Sequence, residues 1–550
     1  MHRKFIWLLV PILAVFLIEV AFFHRFYADD ALIACRYAEN LVDFGQLVYN
    51  KGEYITSLTS PLHALIEALL YQLSGHTLLA WQVTALILLI ISTCLVLRRF
   101  HTCPYSQIVA LAVLFISPCV VLWSFGGLET NLLLFFITLL ALAAFTPATM
   151  TSKRLHLVMF LAGVCFVTRY DSCLFSGPVV LAAAWKNRRP HAIAQAALLG
   201  AVLPAAWLLF SKLYYGDIFP TSFYVKPITL HPEYPSVFFS MLWKNGSYIL
   251  QYLVIIGFVP LFIFRLVAGE EKLPCMASLR RCVLAGPGIF VGLLLVVAYG
   301  LAVATVPMMF SFRFFIPYMP ALVILLADLY TDLSSYTVPA SSIRVPRRFA
   351  VFVLMIVLFQ LCQAWYTWAH AMNGAVIRLS DYDYTYGLGV RDHLVVLDNL
   401  RKQADDLKSH WAGMPNRPSR PPRIWTFAGG TTPYYCRDAY VFERLASYRH
   451  NCHPELKPSA DYIQILPLKG VDWLSVLPPD SDSYRLVASY ISPYYHTVRT
   501  LLLYYNPHPL DNPLPPRVDG VCAEGVTRTD SAGLKMAVTD TGGSQREASQ

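Results

Sequence analysis

Long apolar runs recur through the first two thirds of the chain, each closed by a short polar or basic stretch. His2, Arg3 and Lys4 precede Phe5 to Phe23, about the length a helix needs to cross a bilayer. No small-residue cleavage site follows before Asp29, so this run reads as a retained span rather than a removed leader. Its basic start sets the N-terminus in the cytoplasm and the Asp29-Asp30 pair outside. Next, Leu32, Ile33, Tyr37, Leu41 and Val42 recur at three- and four-residue spacing, the pattern of a helix whose apolar side can lie on a membrane surface. Pro61 to Leu73 is apolar but only about a dozen residues long, which predicts a second interfacial helix and not a span.

Further spans are expected at Leu78 to Leu97, Ile108 to Trp123, Leu132 to Phe145, Leu155 to Val167, Leu174 to Trp185, Ala192 to Phe210, Tyr248 to Phe264 and Val283 to Ala304. A return from Phe312 to near Tyr330 and a last crossing from Phe349 to Ala369 bring the total to about eleven. In this register Arg98-Arg99, Lys153-Arg154, Arg188-Arg189, Arg280-Arg281 and Arg347-Arg348 all fall inside, as the positive-inside rule asks. Counting Pro61 to Leu73 as a span would put Arg98-Arg99 outside.

After Ala369 the pattern becomes polar, Pro-rich and Tyr-rich. Arg423 to Ala428, Asp461 to Leu466, Tyr484 to Ile491 and Thr500 to Tyr505 read as strands, and Val390 to Trp411 and Tyr440 to Tyr448 as helices. The expected organisation is a polytopic catalytic region over residues 1–370, a small external α/β domain over 371–522 and a disordered tail over 523–550.

Composition narrows the class. The 550 residues are 56% hydrophobic and 14% charged, with a mean hydropathy of +0.50, far more apolar than soluble domains. The net charge of +9 is dispersed in short clusters between apolar runs, which signals orientation and not a nucleic-acid surface. Twelve cysteines without paired CxxC spacing indicate neither a zinc site nor a redox pair. In the external domain Cys436 and Cys452 are candidates for a disulfide, with Cys522 a competing partner and separate thiols the alternative.

The candidate chemistry gathers where the first span meets water. Adjacent carboxylates there cost free energy unless they have a partner or a task, although Asp30 could simply cap the following helix. Asp29-Asp-Ala31 followed by Arg36-Tyr-Ala38 and Asn40-Leu41, then Gly45-x-Leu-Val-Tyr-Asn50 and Thr59-Ser-Pro-Leu62, resembles the first external loop of bacterial GT-C glycosyltransferases, most of all their arabinofuranosyltransferase branch. Gly127-Leu-Glu-Thr-Asn131, Thr168-Arg-Tyr-Asp171, Phe219-Pro-Thr-Ser-Phe-Tyr-Val-Lys226, Arg313-Phe-Phe-Ile-Pro317 and Phe427 to Tyr435 look like further landmarks of that family. Thr168-Arg-Tyr-Asp171 departs from the Thr-Arg-Pro-Glu/Asp form the family leads one to expect.

The resemblance implies a membrane all-α GT-C-like fold with interfacial helices in the first external loop, and a polyprenyl-phosphate sugar donor, arabinofuranose by family or a hexose. No Gly-rich phosphate loop or large cytoplasmic domain is present to hold a nucleotide sugar, which agrees with a lipid-linked donor. Inverting displacement needs one carboxylate to take the acceptor proton; the family's acidic pair favours Asp29 as base, with Asp30 orienting the acceptor or holding the helix start. Arg36, Arg169, Lys226 and Arg313 are candidate contacts for the departing phosphate, and Thr59, Ser60 and Tyr224 candidate acceptor or loop supports. Each cation also has a plain reading: snorkelling anchors for Arg169 and Arg313, a solvated loop residue for Lys226, and pairing with Glu39 for Arg36. No metal is required, though a divalent cation could bridge the carboxylates. The expected location is the bacterial inner membrane with the C-terminal domain periplasmic, and the acceptor is a glycan, a lipid or a protein such as a pilin. A polytopic transporter or lipid-linked sugar flippase is the alternative; it predicts ionisable residues at mid-span, whereas the charges gather at span ends and in loops.

Overall fold

The computed structural model describes residues 3–145, 149–225, 275–302, 312–337, 347–369, 389–426, 429–442, 460–465, 485–494 and 497–507. Helix α1 (Arg3–Phe23) is followed by α2 (Ala31–Phe44), α3 (Pro61–Ser74) and α4 (Thr77–Arg99). The two short helices fall on the two runs expected to be interfacial, and each is stopped by a glycine in the left-handed region, Gly45 at φ 66° and Gly75 at φ 71°. Helix α5 (Pro104–Ala110) passes into a π-helical turn over Leu111–Phe115, and α6 (Pro118–Phe125) leaves it bent by 42°. The run Ile108 to Trp123, expected as a single span, is therefore two helices set at an angle. Pro118 is the cause: it lacks an N–H and holds Ser117 extended, so the helical ladder cannot run through.

Helices α7 (Thr130–Ala144), α8 (Ser152–Thr168), α9 (Cys173–Asn187) and α10 (Pro190–Tyr215) lie on the expected apolar runs. α8 and α10 approach backbone to backbone, because a Cβ on Gly163 would stand 2.2 Å from the Gly200 carbonyl oxygen. After α11 (Thr221–Val225), the expected span at Tyr248 to Phe264 lies outside the described residues. Where one helix was expected from Val283, α12 (Cys275–Ala285) ends before Pro287 and α13 (Pro287–Ala302) begins there. A 3-10 turn over Ile316–Tyr318 leads into α14 (Met319–Thr337), and α15 (Arg347–Ala369) closes the bundle. Among the described residues α4 and α10 are long and apolar enough to cross a membrane, the bent α5–α6 pair makes a third, and several apolar helices are shorter.

The C-terminal domain has one long helix, α16 (Val390–Ala412), a short one, α17 (Thr431–Tyr435), and five strands: β1 (Arg423–Trp425), β2 (Tyr440–Phe442), β3 (Tyr462–Ile465), β4 (Arg485–Tyr494) and β5 (Thr497–Tyr505). They form a sheet in the order β2-β1-β3-β5-β4, parallel on the β2-β1-β3 side and antiparallel from β3 through the β4–β5 hairpin. Of the helix expected over Tyr440 to Tyr448, the first three residues are instead a strand, and the rest lie outside the described residues. Its aromatic and β-branched residues fit a pleated surface, and β1 offers the paired edge that a sequence window does not contain. The core of this domain does not end at its boundary: Ala404, Leu407, Trp411, Ile424, Val441 and Tyr462 share one buried cluster with Tyr37, Leu47, Tyr49 and Tyr215. Packing of the sheet is thus continuous with the loop that follows α1.

Candidate active site

The turn between α1 and α2 is fixed from below by the loop that joins α6 to α7. Gln82 donates from Nε2 to the carbonyls of Phe26 at 3.0 Å and Phe125 at 2.7 Å, and Ala28 N–H donates to Gly126 O at 3.0 Å. Gly127, at φ 74°, leaves room that a side chain would fill, since its Cβ would lie 2.7 Å from Ala31 Cβ. These contacts give Asp29 and Asp30 a fixed seat.

The two carboxylates have different surroundings. Both Asp29 oxygens are held by the C-terminal domain: Oδ2 accepts from Gly430 N at 3.0 Å, and Oδ1 from Thr431 N at 2.7 Å and Thr431 Oγ1 at 2.6 Å. Burial pushes the Asp29 carboxyl above its ordinary value; the donors of Thr431 and Gly430 oppose that shift and neighbouring Asp30 adds to it. Asp30 is exposed, and its Oδ2 lies 3.7 Å from Arg313 Nη1. It makes no side-chain cap bond. The capping role expected for it is unnecessary, because the first amides of α2 are already taken by backbone carbonyls: Ala31 N by Ala28 O, Leu32 N by Asp29 O and Ile33 N by Asp30 O.

The candidate cations separate in the same way. Arg36 is buried, and its guanidinium donates to three carbonyls, Tyr49 O at 2.7 Å, Ala439 O at 2.7 Å and Pro433 O. It ties the first loop to the C-terminal domain, spending three of its five N–H donors on backbone carbonyls in a buried place, a structural use that the expected phosphate contact did not include. Arg169 is held by Glu129 Oε1 and Asp171 Oδ1, each at 2.8 Å. Burial drives the Glu129 carboxyl up, but Arg169 and Arg313 outweigh it and hold the group below its ordinary value. Arg313 is the least committed of the described candidates, stacked over the Trp123 ring at 5.3 Å and facing Asp30. Lys226 and the side chain of Tyr224 lie outside the described residues. Thr59 is exposed and Ser60 buried at the start of α3; among the described residues neither bonds to the Asp29–Asp30 turn. Cys436 is a free, buried thiol that donates to Ala404 O at 3.4 Å, so the expected bridge is not formed at this end; Cys452 lies outside the described residues.

Several groups here were not singled out from sequence. Glu129 sat inside a stretch noted as a landmark, and Gly430 and Thr431 inside another. Buried His63 and Glu67, one helical turn apart on α3, pair at 3.3 Å under the Trp81 ring. Burial lowers the His63 imidazole, and Glu67 with Glu129 reverses that to a net rise. No group of three or more metal-ligating side chains is found among the described residues.

With this geometry in view, the chain can be set beside solved structures. It has the fold of ArnT from Cupriavidus metallidurans. The apo crystal structure of ArnT matches with a TM-score of 0.53 at 12% identity, covering 91% of this chain and 98% of that one. The crystal structure of ArnT bound to undecaprenyl phosphate matches with a TM-score of 0.51 at 12% identity, covering 90% and 97%. No family model and no curated protein matches the sequence. At this identity the likeness to ArnT is one of fold, and it extends over both the helical region and the C-terminal sheet.

Proposed function

We propose that the chain is an inverting glycosyltransferase of GT-C type, acting at the external face of the bacterial inner membrane with its C-terminal domain periplasmic. It moves a sugar, arabinofuranose on the resemblance of its first loop, from a polyprenyl-phosphate donor to an acceptor hydroxyl on an envelope glycan, a lipid or a pilin-like protein. The observation that carries this reading is the seat of Asp29, a carboxylate made more basic by burial yet oriented by three donors, with exposed Asp30 beside it and the largely buried Arg313 facing Asp30. The fold likeness supports a lipid donor, since ArnT has been crystallised with undecaprenyl phosphate.

In the reaction the acceptor O–H gives its proton to Asp29, where Oδ2 carries one donor against two on Oδ1. The acceptor oxygen bonds the anomeric carbon as the bond from that carbon to phosphate oxygen breaks. The electron pair leaves with the polyprenyl phosphate, whose charge Arg313 and Lys226 meet. Purified full-length protein, offered polyprenyl-phosphate sugars singly and assayed by product mass, tests donor and acceptor together; no glycosyl product with any of them refutes the reading.

One observation favours the transporter alternative. Glu19 is fully buried on the face of α1 that also presents Ile12, Val15, Phe16 and Phe23, and neither of its oxygens has a hydrogen-bond partner among the described residues. A carboxyl inside an apolar helix is costly and is a frequent mark of a transport pathway. Transport without sugar transfer, abolished by Glu19→Gln and indifferent to Asp29→Asn, would select that reading.

A further inference from the structure

The contact between Asp29 and the C-terminal domain joins residues 402 positions apart in sequence. It is tight: a Cβ on Gly430 would stand 1.7 Å from the Asp29 carbonyl oxygen, so only glycine allows the backbones to meet. Thr431 brings two donors to a single carboxylate oxygen. The loop carrying them is itself secured. Tyr49 OH donates to Gly429 O, Arg36 to Pro433 O, and Tyr434 OH to Glu39 Oε1 at 2.7 Å. Asn50 exchanges two bonds with Val441, at 2.9 and 3.1 Å.

We propose that Gly430 and Thr431 are positioning residues for the transfer reaction, and that the base is competent only while the C-terminal domain is docked on it. This rests on the reading of Asp29 as base. A carboxylate that accepts a proton from a sugar hydroxyl must present one lone pair along one line, and a free Asp side chain rotates about two bonds. Three donors remove that freedom. They also set basicity, because donors to the ionised form favour it and burial opposes it. Among the described residues, the other charged and titratable groups near this carboxylate are Asp30 beside it, Arg313 facing Asp30, His393 on the Tyr27 carbonyl at 3.2 Å, and Tyr27 with Tyr435 and Asp398 beyond. None of them depends on the Thr431 hydroxyl, so that hydroxyl can be removed by itself.

The test uses full-length protein in lipid nanodiscs with Thr431→Val, Thr431→Ser and Gly430→Ala. Infrared difference spectra across a pH titration, with Asp29→Asn marking the band of Asp29, read its protonation without any substrate. Thr431→Val should move the midpoint to higher pH by about one unit, the worth of one charge-assisted bond, and Thr431→Ser should restore it. Turnover with decaprenyl-phosphoryl arabinofuranose as probe should show its acid limb shifted upward by the same amount, because the base must be ionised to act. Gly430→Ala should lower kcat at least tenfold with little change in KM for the probe. An unmoved midpoint in Thr431→Val overturns the clamp even if no donor is ever turned over. A moved midpoint with an unmoved acid limb overturns the link between this contact and catalysis while leaving the transferase reading intact.

Discussion

Replacing Asp29 by Asn separates chemistry from structure, provided that both consequences are counted. The amide cannot take the acceptor proton, so turnover should fall by roughly 10²–10⁴-fold if general-base catalysis operates. The substitution is not structurally silent here. An Asn can turn its carbonyl oxygen toward the two donors of Thr431, but its NH₂ then meets Gly430 N–H across the 3.0 Å contact, donor against donor. Losing one acceptor in this partly buried place should cost about 1–3 kcal/mol of stability. Thermal melts of Asp29→Asn and Thr431→Val should thus fall by comparable amounts, while turnover falls far more in the first. Asp30→Asn should be milder on both measures, since Asp30 is exposed and a solvated pair at 3.7 Å is worth about 0–1 kcal/mol. Turnover in single-turnover assays, at matched protein amounts, decides the matter. If Asp29→Asn keeps wild-type turnover while Asp30→Asn loses it, the roles are exchanged; if both keep it, the base lies elsewhere.

Arg36→Lys keeps the charge but cannot span three carbonyls, so melting should drop with a loss of about 2–4 kcal/mol, and an unchanged melt would show that the clamp carries no stability. His63→Leu removes the ion partner of buried Glu67 and leaves it only the Cys35 thiol at 3.6 Å, so it should cost about 3–5 kcal/mol, most of it recovered in His63→Leu/Glu67→Leu; equal melts for the single and double variants would dismiss the pair. Because the His63 pKa is raised in the fold, its stabilising share is complete below the unfolded value of 6.5 and fades as pH rises through the folded one, a trend that melts of wild type across that range should show and those of the double variant should lack. A reporter fused after Arg378 should be external, and a cytoplasmic signal would overturn the orientation drawn from the basic clusters.

Helix positions were legible because apolar runs and their basic ends record a physical requirement local to each segment. α4, α7, α8, α9 and α10 fall within a few residues of their expected bounds for this reason. What failed were the judgements that need a partner. Tyr440 to Phe442 is a strand because β1 lies alongside, and no window around Tyr440 contains β1. Arg36 was expected to meet a phosphate or to pair with Glu39 on its helix, yet two of the carbonyls it bonds belong to residues 433 and 439. Asp30 had the chemistry of a cap, but the preceding turn had already used the amides. Pro118 was visible inside an apolar run and its breaking effect was not weighed. Glu19, buried within the first apolar run, departs from the gathering of charges at span ends. The Asp29–Asp30 pair was found by residue type and place, while its orienting donors, some 400 residues later, were not.

That separation has a consequence for how the protein comes into being. A ribosome adding about 5–20 residues per second needs about 20–80 s to travel the 402 residues from Asp29 to Thr431. Through that interval the carboxylate waits without its donors. On the clamp proposal, a nascent or truncated chain ending before Gly430 can meet lipid-linked sugar in the membrane and leave it untouched, so that the last part of the chain to emerge is the part that licenses the first.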